Sequence, residues 1–163
     1  MTATPAADHQ RRALKFTRLG DALADVDSLH KDGYERVGNW DLAQTCDHLT
    51  QWMVYPLDGY PKAPLPIRVM LAAMRVTIGR VIFRQVVTTG TMRPGSPTMP
   101  ETVFEPGRDE SAAVERFRRA VERFQSHTGP LHPSPLFGQL SREEALQLQL
   151  VHCAHHLSFL LRK

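Results

Sequence analysis

The sequence predicts an all-α fold, a four-helix bundle whose long crossover carries an extra helix. Three observations point there. Apolar residues recur at three- and four-residue spacing in several segments. Proline- and glycine-rich stretches separate those segments. No run alternates apolar and polar residues over a useful length, so no strand is expected.

Residues 1–12 are polar and alanine-rich and read as a flexible start. They leave 13–163 as one domain, an ordinary size for a single core. In residues 14–30, Leu19, Leu23, Val26 and Leu29 lie on one face of a first helix. Asp41 caps a second helix that Pro56 and the prolines at 61, 64 and 66 should end. A third helical stretch runs from Ile67 and fades toward Thr88. The next twenty residues hold four prolines and three glycines, a crossover in which no regular element is expected. Asp109 or Ser111 starts another helix, with Val114, Phe117, Val121 and Phe124 on one stripe. Ser141 and Glu144 form a capping box, and the last helix should run from there to the C-terminus.

Twenty Lys and Arg against 17 Asp and Glu give a net charge of +3, too small to imply nucleic acid. Two cysteines without a CxxC pair exclude a disulfide scaffold and a Cys-only zinc site. No apolar run precedes the first basic pair, so a cytoplasmic protein is expected. Residues 67–87 are the most membrane-like, but they carry Arg68, Arg75, Arg80 and Arg84. Each arginine near a bilayer centre costs about 2.5–3.5 kcal/mol, so no membrane span is expected. The helix should pack partly on its own protein. A position on a membrane surface stays open, as does use of its apolar face in a homodimer. Arg116, Arg118, Arg119 and Arg123, interleaved with Glu115 and Glu122, read as an exposed, salt-bridged helix face.

Three of the eight histidines fall in the last helix. His152 and His156 are one turn apart, and two imidazoles so placed can reach one metal ion. Their face also holds Ala145, Leu148, Gln149 and Phe159. His155 points about 60° away and makes a poorer pair. The alternative is two core histidines, each bonded to its own polar partner. A third ligand must come from another helix, and His48 is the only histidine inside the second. Gln44, Thr45, Trp52 and Tyr55 share its face and would line the pocket, unless His48 is simply a half-exposed surface residue. Cys46 and Cys153 read as buried structural thiols.

Three features then stand in one order: Asn39-Trp40-Asp41-Leu42 leading to Asp47-His48-Leu49; His132-Pro133 with Phe137-Gly138-Gln139-Leu140-Ser141; and His152-Cys153-Ala154-His155-His156-Leu157. Together they resemble the DinB/YfiT-like superfamily, in a branch of unknown function that ends in an HxxHHL motif. The resemblance spans nearly the whole chain. It implies an up-down-down-up bundle in which His48, His152 and His156 bind a divalent metal, with zinc or nickel first. His132 would lead structurally into the last helix. Where many members of that family carry Gln, this chain has Phe159.

Three neutral imidazoles leave the full charge on a metal and room for another ligand. The resemblance implies a small-molecule substrate and an S-transferase using a low-molecular-weight thiol such as mycothiol, bacillithiol or glutathione. A metal-dependent hydrolase is the second reading, and a non-catalytic metal- or ligand-binding bundle the third.

Overall fold

The computed structural model describes residues 11–163, so all but the last two positions of the expected flexible start lie outside the described residues. Of those two, Arg12 is anchored, with its guanidinium on both carboxylate oxygens of Asp25 at 2.8 and 2.7 Å.

Most of the described chain is helical. Helix α1 (Leu19–Asp32) leads to strand β1 (Tyr34–Arg36) and then to α2 (Leu42–Asp58). Helix α3 (Leu65–Met74) continues through a π-helical turn (Arg75–Gly79) into α4 (Arg80–Thr89). Helices α5 (Glu110–Ser126) and α6 (Arg142–Leu157) follow the crossover, and strand β2 (Leu160–Arg162) closes the chain. Two expected caps form as read. Asp41 Oδ1 accepts the Gln44 amide at 2.8 Å, and Ser141 Oγ accepts that of Glu144 at 3.1 Å.

Four details depart from the sequence reading. The first helix begins at Leu19, where Asp21 accepts the amides of Thr17 and Arg18. The second passes Pro56, because proline near a helix end removes a single intrahelical bond. The last helix stops at Leu157, and residues 160–162 pair antiparallel with 34–36. Strands of three residues are too short to display alternation, which is why none was expected. The crossover also holds one 3₁₀ turn, Pro100–Thr102.

The core joins α1, α2, α5 and α6. Leu19, Val26 and Leu29 meet Leu42, Leu49 and Met53, with Phe117, Val121 and Leu157 closing the centre. Helix α2 is its axis, buried at every position from Leu42 to Leu49, and its largest interface is with α5. The arginines of α5 brace it against both α2 and α1 rather than only pairing along their own helix. Arg116 Nε reaches Asp47 at 2.8 Å and Arg118 reaches Asp27 at 2.6 Å, while Arg123 pairs with Asp58. Sequence spacing reveals i,i+3 and i,i+4 partners but not partners on a neighbouring helix, hence the different expectation. Among the described residues, no helix is long and apolar enough to cross a membrane.

Candidate metal centre

Helix α2 supplies His48 and helix α6 supplies His152 and His156. One ligand atom from each lies within 4.8 Å of the others. The Nε2 atoms of His48 and His152 are 3.2 Å apart. A tetrahedral site with metal–nitrogen bonds of about 2.0–2.1 Å has an N···N edge of about 3.3 Å, so this pair is already spaced for a shared ion. The group could therefore hold a metal ion.

The tautomer of His48 is set from behind. Its Nδ1 lies 2.9 Å from the Thr102 carbonyl, which can only accept, so Nδ1 carries the proton and Nε2 presents its lone pair. The 3₁₀ turn builds that acceptor. Thr102 Oγ1 donates to the Met99 carbonyl at 2.7 Å, and the residue is wholly buried. Asp47, beside His48, holds the far end of the crossover through Arg108 at 2.6 Å.

Burial sets the electrostatics. Loss of solvation lowers His48 to about 4 and holds His152 and His156 well below the ordinary histidine value, with the neighbouring imidazoles adding to the effect. At neutral pH all three are uncharged, the form in which imidazole ligates metal. His152 and His156 are half-buried, so the cluster keeps an accessible side.

Aromatic rings wall the cluster. Trp40 stacks on His156 with centroids 5.2 Å apart and planes 8° from parallel. The β1–α2 connection places it there. The Val37 amide donates to the Phe159 carbonyl, and a Cβ at Gly38 would sit 3.0 Å from the Phe159 side chain, so a larger residue there would push that ring aside. Trp52 meets His152 edge-on at 5.7 Å, and Tyr55 and Tyr60 stand behind Trp52.

The pocket residues expected from the sequence separate. Trp52 touches the cluster and Tyr55 touches Trp52. Gln44 is spent elsewhere, bonding the Phe104 carbonyl at 2.6 Å and the Asp41 amide at 3.0 Å. Thr45 is buried within α2. His155 stands outside the three-histidine group, edge-on to both His156 and Phe159, and burial lowers it to about 4. Both cysteines are buried with thiols pushed up, Cys153 to about 12, so neither offers a thiolate. Two surface concavities, of about 600 and 340 Å³, are lined by other residues.

The sequence reading did not single out Trp40 or Thr102 as site residues. Trp40 stands outside any helix, so wheel geometry could not place it. Thr102 acts through its carbonyl, which its residue type does not disclose.

Pro56 also contributes. Lacking an N–H, it leaves the Trp52 carbonyl without its intrahelical donor, and Gln149 Nε2 fills the vacancy from α6 at 2.8 Å. That bond fixes α2 to α6 one turn before His152.

Comparison with curated proteins and with solved structures finds no match for the chain. A family described as "Protein of unknown function (DUF1569)" matches residues 8–163, and the chain belongs to that family.

Proposed function

We propose that this chain is a divalent-metal-dependent enzyme of the DinB/YfiT-like type, folded as one domain over 13–163 in an up-down-down-up four-helix bundle. Its reaction is the transfer of a low-molecular-weight thiol to a small electrophile. The observation that carries the reading is the convergence of His48, His152 and His156 from two helices, with the His48 tautomer set by Thr102.

A zinc or nickel ion held by His48, His152 and His156 would supply Lewis acidity that favours the deprotonated form of a thiol. The chain's part is to hold three neutral imidazoles ready and to shape the surroundings. Trp40 covers one face of the His156 ring. Trp52, with Tyr55 and Tyr60 behind it, offers an aromatic wall for the apolar part of an electrophile.

A three-histidine metal site can activate water or hold a thiolate, so direct binding of a thiol is what separates a transferase from a hydrolase. Cobalt(II)-substituted protein titrated with glutathione and other small thiols tests this. Saturable growth of a thiolate-to-cobalt charge-transfer band is expected. A cobalt spectrum unchanged by every thiol contradicts the transferase reading.

A further inference from the structure

Helix α3 is apolar on nearly every side, yet none of its residues is buried. Leu65, Val69, Val76 and Val81, on α3 and just beyond it, are 68%, 62%, 78% and 63% exposed. A helix apolar all round normally lies inside something. Among the described helices and strands its firm neighbour is the π turn that follows, while α4 is the part that docks, through α6.

Charge is as uneven as hydrophobicity. Between Asp58 and Glu101 the chain has six Lys or Arg and no Asp or Glu, although its overall charge is only +3. The π turn aligns these charges. In an unbroken α-helix Arg68, Arg75, Arg80 and Arg84 would spread over about 180°. With one residue taken up by the turn they gather within about 80°, beside the sector of Leu65, Val69 and Val81.

We propose that the rod from Leu65 to Val81 is an interfacial anchor that lies on an anionic phospholipid surface. Its apolar side enters the headgroup boundary and Arg68 and Arg75 snorkel to lipid phosphates, while Arg80 stays paired with Glu144 of α6 at 2.6 Å. Arm-on-arm pairing with a second copy would set arginine against arginine, with no acidic residue on either arm to offset them. An anionic bilayer supplies the missing charge.

Co-sedimentation of the full chain with vesicles tests this, using phosphatidylcholine alone and phosphatidylcholine mixed with phosphatidylglycerol. Binding to the anionic vesicles only, reversed by high salt, is expected. Val69→Glu with Val76→Glu, and separately Arg68→Glu, should each weaken it about tenfold or more. Both changes fall on exposed positions, so circular dichroism should be unchanged. Arg119→Glu, an equal charge change on exposed α5 surface, should leave binding intact. Equal binding to both vesicle types, or to neither, overturns the proposal. So does a dimer in sedimentation equilibrium that Val69→Glu dissociates, which would assign the face to a second copy.

Discussion

His48 gives its Nδ1 proton to the carbonyl of Thr102, 54 residues further along the chain, and so turns the lone pair of Nε2 toward His152. Outer partners of this kind fix a ligand's tautomer, and their loss typically costs 10–100-fold in metal affinity. The Thr102 hydroxyl reinforces the 3₁₀ turn, donating to the same Met99 carbonyl that accepts the Thr102 amide. Thr102→Val should therefore weaken metal binding about tenfold without changing the stoichiometry at saturation. Competition titration against a chromogenic chelator measures it. Unchanged affinity would mean that the turn holds itself in place.

Gln149 is buried, and its side-chain amide serves the Trp52 carbonyl that Pro56 leaves free. Gln149→Leu keeps the volume and removes the donor. Stranding a buried carbonyl costs about 1–3 kcal/mol, and urea unfolding of metal-free protein should show a loss in that range. Pro56→Ala restores the N–H that donates to the Trp52 carbonyl within α2. Added to Gln149→Leu, it should recover part of the loss.

Metal-free protein should lose stability in mild acid. Folded His48 titrates at about 4, below the ordinary value of 6.5. Between those values the unfolded chain binds a proton that the folded chain refuses, so stability falls as pH drops from 6.5 toward 4 and levels off below. A shift of that size corresponds to about 3 kcal/mol from His48 alone. His152 and His156 shift in the same direction and steepen the fall. Denaturation midpoints measured between pH 7.5 and 4 check this. For His48→Gln in metal-free protein the slope should be shallower, and an unchanged slope would remove His48 as its source.

Much of this arrangement could be read from residue spacing. Asp41, Asp109 and Ser141 start their helices as their side chains dictate, and the i,i+4 spacing of His152 and His156 brings both to His48. What spacing could not supply came from contacts between distant segments. The β1–β2 pairing is too short to leave a periodic signal, yet it sets the connection that lays Trp40 on His156. Gln44 has the wheel position of a pocket residue, but its amide is used by Phe104 and Asp41. A helix wheel gives a direction and says nothing of which partner waits there. The Thr102 carbonyl was equally hidden, because every residue carries one and only its place in the fold distinguishes it.

Metal content per chain is the most direct test of the central claim that His48, His152 and His156 form one site. Tag-free protein prepared without chelators, loaded with zinc or nickel and desalted, would be measured by elemental mass spectrometry beside His48→Ala, His152→Ala, His156→Ala and His155→Ala. The account predicts close to one metal per chain in the parent and in His155→Ala, and strong loss in each of the other three. No metal in the parent, or equal loss for His155→Ala and His156→Ala, would contradict it.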